Sequence, residues 1–113
     1  MAITFIETKK LPRQKMSQGE ATEILNQELA GAKNVRATLR WLEAGERFQA
    51  GPSDEHQLLY LMEGNGSIHL ENNDYEVSRG AGVYLGPSEM AIIRAADGAS
   101  LKLFHLVVPK SQE

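Results

Sequence analysis

Short apolar segments alternate with turn-forming residues along most of the chain. Each segment spans four to eight residues and is rich in Val, Ile, Leu, Tyr and Phe, and the gaps between segments contain Gly, Pro, Asn and Asp. These residues favour turns because Gly accepts a positive φ, Pro fixes φ, and Asn and Asp bond to their own backbone. The rhythm predicts an all-β sandwich or barrel. The segments predicted as strands are 35–42, 56–62, 66–71, 75–78, 82–85, 91–95 and 101–108.

The N-terminal third carries a different pattern. Ser17 and Glu20 have the spacing of a capping box, which predicts one short N-terminal helix. The apolar residues that follow at helical intervals are Ala21, Ile24, Leu25 and Leu29. An irregular strand is the alternative, since a lone helix between strands fits a barrel less well.

Several predicted strands are apolar on both faces. Leu59 and Leu61 lie on one face of their strand, and Leu58 and Tyr60 lie on the other. An antiparallel sheet with one solvated face would alternate apolar and polar residues. Burial of both faces requires a second sheet or a second subunit, so we expect a homodimer.

Composition narrows the functional classes. The 113 residues suffice for one domain, predicted over 1–113, and its core would bury roughly two-thirds of the unfolded surface. A net charge of -3 gives no basic surplus for nucleic acid, and the apolar runs are too short to cross a membrane. Residues 1–10 lack the apolar stretch of a secretion signal, so we expect a cytoplasmic protein. The chain has no cysteine, which excludes thiolate chemistry and cysteine metal ligands.

From Trp41 to Pro109 the order of strands and turns resembles the cupin superfamily, which carries the motifs G-x5-H-x-H-x3,4-E-x6-G and G-x5-P-x-G-x2-H-x3-N. Gly64 matches the closing glycine of the first motif, and Gly80 matches the opening glycine of the second. The resemblance implies a jelly-roll β-barrel, a cupin-like double-stranded β-helix, with its core at about residues 35–109.

The metal ligands of the cupin motifs are replaced in this chain. The resemblance assigns the ligand positions to Gly51, Ser53, Gln57 and Ala91. Gly and Ala have no side-chain donor, a neutral Ser hydroxyl is a poor one, and Gln57 offers a single weak oxygen. We therefore predict no metal and no other cofactor.

The three histidines do not form a recognisable metal motif, because their separations match none. His56 is expected at a loop edge and His69 at a solvated strand position. His105 interrupts an otherwise apolar strand. A buried imidazole is costly unless both ring nitrogens are bonded, so His105 has either a structural partner or a cavity ligand.

The strand phase implied by the resemblance turns Gln57, Leu59, Leu61, Ala91, Ile93 and Ala95 inward. An apolar interior with few polar groups is typical of small-molecule sites. The alternative is a filled core, with Trp41 as a core aromatic residue and Gln57 bonded to backbone. The residues predicted to bind a ligand are Trp41, Ser53, Gln57, Leu59, Leu61, Ala91, Ile93 and His105.

Two arginines flank this predicted site in sequence. Arg36 and Arg40 share one face of a strand with Thr38. We expect them to form surface salt bridges with Glu43 or Glu46 instead of recognising an anion.

Three functions remain open at this point. The first is a metal-free cupin barrel that binds a small organic molecule, with no reaction assigned. The second is a metal-independent isomerase, epimerase or cyclase that uses acid-base chemistry, with His105 as the candidate catalytic residue. The third is a non-catalytic assembly or regulatory protein.

Overall fold

The computed structural model describes residues 7–16, 19–25 and 35–109. These residues form one short 3₁₀ turn, Thr8–Lys10, and ten strands. The strands are β1 Gln14–Met16, β2 Gly19–Leu25, β3 Arg36–Leu42, β4 Arg47–Ala50, β5 His56–Glu63, β6 Asn65–Leu70, β7 Asn73–Ser78, β8 Gly82–Leu85, β9 Ala91–Ala95 and β10 Leu101–Val108.

The strands form two antiparallel sheets. The larger sheet has the order β1-β2-β3-β10-β5-β8, and the smaller has the order β4-β9-β6-β7. Strand β10 lies between β3 and β5, so the last of the described strands joins segments that are far apart in sequence. The prediction of an all-β jelly roll is confirmed.

The predicted N-terminal helix is wrong over the residues that the structure describes. Strand β2 pairs with β3, and the register shifts between Glu23 and Leu25, so the irregular strand is the arrangement found. The backbone groups of β2 pair with the edge of β3 that β10 does not occupy, and this tertiary pairing overrides the local helical pattern. Ser17 and Leu29 lie outside the described residues.

Side chains from both sheets meet in an apolar core. The inward positions of β5, β9 and β10 alternate with outward ones and are at most 8% exposed, which confirms the predicted strand phase. The core cluster also includes Phe48 of β4 and Ile68 of β6. No helix in the described ranges is long and apolar enough to span a membrane.

The outer face of the larger sheet carries a second set of apolar side chains. Leu58, Tyr60, Tyr84 and Val108 are between 37% and 61% exposed. Leu58 lies opposite both Tyr84 and Leu106 in the strand register, so these residues form one continuous surface, which we call the outer apolar face. The expected homodimer remains a prediction, and the outer apolar face is the surface through which we expect the two subunits to meet.

Two strand glycines allow a matched test of packing. A Cβ on Gly66 would clash with the carbonyl oxygen of Arg94 and lie 3.0 Å from Cδ2 of Leu101, whereas a Cβ on Gly82 would meet no heavy atom closer than 3.8 Å. Gly66→Ala is expected to lower the free energy of unfolding by about 1–3 kcal/mol. Gly82→Ala is expected to raise it by less than about 1 kcal/mol, because the added methyl group has room and alanine reduces the conformational entropy of the unfolded chain. Urea denaturation measures both values, and equal stabilities of the two variants would contradict this packing.

Candidate functional site

A cavity of about 280 Å³ opens on the inner face of the larger sheet. The strand register explains its lining, because Val107 faces both Arg36 and Gln57, and His105 faces Thr38. The segment 51–55 between β4 and β5 covers one side. The lining residues are Glu23, Arg36, Thr38, Arg40, Gly51, Pro52, Ser53, Glu55, Gln57, His105 and Val107.

A directed chain of hydrogen bonds crosses the floor of this cavity. Arg40 Nε donates to His105 Nδ1 at 3.1 Å, and His105 Nε2 lies 2.7 Å from Gln57 Oε1. A guanidinium can only donate, so Nδ1 must accept and Nε2 must carry the proton that it donates to Gln57. His105 is therefore a neutral imidazole with both ring nitrogens bonded.

The surroundings of His105 strongly favour its neutral form. Burial, and after it the positive charges of Arg40 and Arg36, together lower the pKa of His105 from 6.5 to about 4. The side chain also packs edge-on against Phe48, with ring centroids 5.3 Å apart. At neutral pH this histidine is uncharged and fixed in orientation.

The two arginines of the cavity have different surroundings. Arg36 lies at the rim, about half exposed, and its Nη2 bonds both carboxylate oxygens of Glu55 at 3.0 and 3.3 Å. Arg40 extends over the ring of Phe48, with Cζ 4.1 Å from the centroid. Burial lowers the pKa of Arg40, and the negative charge of Glu23 opposes that shift. Arg40 nevertheless remains charged at neutral pH, as guanidinium groups in proteins do.

The residues predicted to bind a ligand fall into three groups. Ser53, Gln57 and His105 line the cavity together. Leu59, Leu61, Ala91 and Ile93 belong to the buried core cluster instead. Trp41 lies on the opposite face of β3, with the guanidinium carbon of Arg13 3.9 Å from its ring centroid. Which of these residues contact a ligand stays a prediction.

Sequence reasoning did not assign Arg36 and Arg40 to the cavity. Their expected partners were Glu43 or Glu46, but Arg36 pairs with Glu55 and Arg40 bonds His105. The useful signal was the alternation along β3, whose other face carries the buried Ala37 and Leu39. Buried residues occur on both faces of β3, so the alternation of polar and apolar residues did not show which of the two faces lines the cavity.

The donor groups present do not fit a metal cation. Within residues 7–16, 19–25 and 35–109, no three His, Cys, Asp or Glu side chains converge. His105 Nδ1 already accepts from the cationic Arg40, and Ala91 is packed in the core. The other histidines are bonded elsewhere, His56 to the hydroxyl of Tyr84 and His69 to the carboxylate of Asp74.

Two antiparallel sheets in this order, enclosing an inner cavity, define a cupin-type barrel. Solved structures with the same fold include a predicted oxalate decarboxylase from Thermotoga maritima, with 15% identity, a TM-score of 0.83, and coverage of 95% of this chain and 100% of that one. The polyketide cyclase RemF from Streptomyces resistomycificus has 10% identity and a TM-score of 0.83, covering 96% and 81% of the two chains. Ectoine synthase from P. lautus has 13% identity and a TM-score of 0.80, covering 95% and 78%.

At these low identities the similarity establishes the fold, and the predicted cupin-like barrel is confirmed. No curated protein matches the sequence. Residues 35–112 match the family described as the AraC-like ligand binding domain. The chain belongs to this family and is a cupin-like ligand-binding domain.

The lowered pKa of His105 predicts a pH dependence of stability. The unfolded chain binds a proton at His105 below pH 6.5, whereas the folded chain does so only below about pH 4. Above pH 6.5 the imidazole is neutral in both states and costs no stability. As the pH decreases toward 4, the unfolded chain alone gains the proton, so the free energy of unfolding falls by about 3 kcal/mol. Urea unfolding between pH 4 and 7 measures this loss.

Two histidine variants identify the group responsible for that loss. In His105→Gln the loss of stability at low pH should shrink by the contribution of this imidazole, while His56→Gln, which alters a half-buried histidine outside the cavity, should retain the full loss. An unchanged pH dependence in His105→Gln would contradict a buried neutral imidazole.

Proposed function

We propose that this domain binds a small organic molecule in the cavity between Arg40, Gln57 and His105, without a metal. The observation that carries the proposal is a set of polar side chains held in fixed positions beside open space. A volume of about 280 Å³ is close to the lower end of protein ligand pockets, roughly 300 Å³. The ligand is therefore small, and the family description supports binding as the activity.

The cavity is preorganised for binding. Both ring nitrogens of His105 have partners, and the side chain of Arg40 is supported by Phe48. Side chains that are already fixed lose little conformational entropy when a ligand arrives. This favours affinity for a ligand that is complementary to the existing arrangement.

Catalysis without a metal is the second candidate. Structural neighbours include a cyclase and a synthase, and an isomerase, epimerase or cyclase reaction here would use His105 as acid or base. The geometry gives this less support, because Nδ1 accepts from Arg40 and Nε2 donates to Gln57. A pKa of about 4 also makes His105 a weak base at neutral pH.

The proposed assembly is a homodimer formed through the outer apolar face. Exposed apolar surfaces of this kind are typical of subunit contacts, and a two-fold dimer buries the same surface on both copies. Assembly also accounts for the third candidate, a regulatory or structural role. The proposed setting is the cytoplasm, which suits a chain with no cysteine, and the net charge of -3 argues against nucleic acid as a partner.

Filling the cavity should abolish ligand binding. Val107 lines the cavity, and Val108 points to the opposite face of β10. With a panel of small metabolites, we expect at least one compound to raise the Tm of the wild type by about 5 °C at saturating concentration. Val107→Phe should lose this shift because its ring occupies the cavity, whereas Val108→Phe should retain it. Differential scanning fluorimetry measures all three proteins.

The metal-independent part of the proposal has its own control. The same compound should stabilise protein that has been dialysed against EDTA and shown by elemental analysis to contain no transition metal. A shift that disappears on chelation, or one that Val107→Phe retains, would contradict a metal-free site in this cavity.

A single charge in the outer apolar face should separate the subunits. Leu58 is at the centre of this face, and Tyr75 is a comparably exposed residue on β7 of the smaller sheet. We expect the wild type and Tyr75→Glu to sediment as dimers at micromolar concentration and Leu58→Glu to sediment as a monomer, because a buried unpaired carboxylate is costly. A monomeric wild type would contradict the proposed assembly.

A further inference from the structure

We propose that the ligand carries a carboxylate, which Arg40 binds with the help of the Gln57 amide. This inference rests on the proposed function, because it names the chemical class that the same cavity accepts. It starts from the direction of the hydrogen bonds around His105.

Each acceptor in the chain of hydrogen bonds already receives one hydrogen bond. Arg40 donates to His105 Nδ1, and His105 donates to the side-chain oxygen of Gln57. What these residues still offer to a ligand is mainly donors: beyond the bond from Nε, the guanidinium of Arg40 has four N–H groups and no acceptor, and the Gln57 amide has two N–H groups on Nε2. A site built from donors selects a ligand with oxygen acceptors.

Arg40 supplies positive charge that its direct partner does not neutralise. Its hydrogen-bond partner is a neutral imidazole, whereas Arg36 at the rim is paired with the carboxylate of Glu55. Glu23 acts on Arg40 as a negative charge at the edge of the cavity, so it reduces this field. The planar fork of a guanidinium matches a carboxylate with two parallel hydrogen bonds, and such charge-assisted bonds are stronger than neutral ones.

Space is available beside the second donor. Gly51 lies next to Gln57, and even a Cβ at this position would come within 3.4 Å of Gln57 Nε2. Gly51 has no side chain to cover this nitrogen, and both residues line the cavity. Arg40 and Gln57 both contact His105 from the strands on either side of β10, so their donors face the same cavity.

A neutral polyol is the competing ligand class. It would need acceptors as well as donors from the cavity wall, because each hydroxyl both donates and accepts. The hydroxyl of Ser53 already accepts from the backbone N–H of Glu55, and the oxygen of Gln57 accepts from His105. Glu55 at the rim is paired with Arg36, and the groups that Arg40 and the Gln57 nitrogen present to the cavity are N–H donors, which favours an anion over a polyol at this end of the cavity.

The test compares acids with their matched primary amides, which have nearly the same shape and no charge. The probes are benzoate and benzamide, hexanoate and hexanamide, and lactate and lactamide, titrated into the full chain at pH 7 and followed by ¹H–¹⁵N NMR. At least one acid should bind about tenfold or more tightly than its amide, as expected for hydrogen bonds to a charged group.

Arginine variants provide the matched controls. Arg40→Gln should remove the preference for the acid, while Arg94→Gln, which removes a half-exposed arginine on β9, should leave it within about twofold. If Arg40→Gln does not fold, Arg40→Lys replaces it; lysine keeps the charge and loses the planar fork, and should reduce the preference. The comparison of acids and amides on the wild type needs no variant.

The outcomes separate this inference from the proposed function. Equal or tighter binding of the amides at the His105 resonances would overturn the carboxylate assignment and leave small-molecule binding intact. A metabolite that binds in the cavity and carries no acidic group, with all three acids inactive, would overturn it as well. Failure of every acid, every amide and the metabolite panel would overturn both proposals.

Discussion

The imidazole of His105 constrains much of what surrounds it. It lies on the inner face of β10, between two strands that pair with β10 on either side, and it is 5% exposed. A titratable ring in such a position needs a partner for each nitrogen. Arg40 from β3 supplies the donor and Gln57 from β5 the acceptor, so three adjacent strands each contribute one member of a single polar chain.

The identity of residue 57 determines the electrical character of the cavity. Gln57 stands where the cupin motif has a glutamate, and an amide accepts the proton of His105 without carrying charge. A carboxylate there would raise the pKa of His105 by direct attraction and would offer a ligand to a cation. With glutamine, the histidine stays neutral, and the positive charge beside it comes from the guanidinium of Arg40. The proposed preference for anions depends on this difference. The amide of Gln57 offers no carboxylate to a cation, and the guanidinium of Arg40 supplies a positive charge at a fixed place.

Much of the fold could be predicted from the sequence, because strand segments and turns are local signals. Strands β8, β9 and β10 have the predicted limits, and the inward phase of β5 and β9 is the one that the resemblance implied. β4 was missed because Arg47–Ala50 contains a single large apolar residue, Phe48, between two polar ones, whereas the equally short β8 has three apolar residues in a row. The helical pattern around β2 misled because the strand depends on pairing with β3, which no local pattern reveals.

The site was harder to predict because it depends on register between distant strands. His105 was recognised as needing a partner, but its bond to Arg40 joins residues 65 positions apart. Trp41 was predicted to bind the ligand, yet alternation along β3 turns it to the face opposite Arg40. A sequence with two covered faces on one strand does not indicate which face encloses the cavity.

The most direct test of this account is the side-chain ¹⁵N NMR spectrum of His105 at pH 7, followed down to pH 4. The account predicts an unprotonated Nδ1 and a protonated Nε2 that persist to below about pH 5, because burial and Arg40 hold the pKa of the imidazole well below its ordinary value. A doubly protonated ring at pH 7, or a proton on Nδ1, would contradict the bond from Arg40 and the cavity chemistry derived from it.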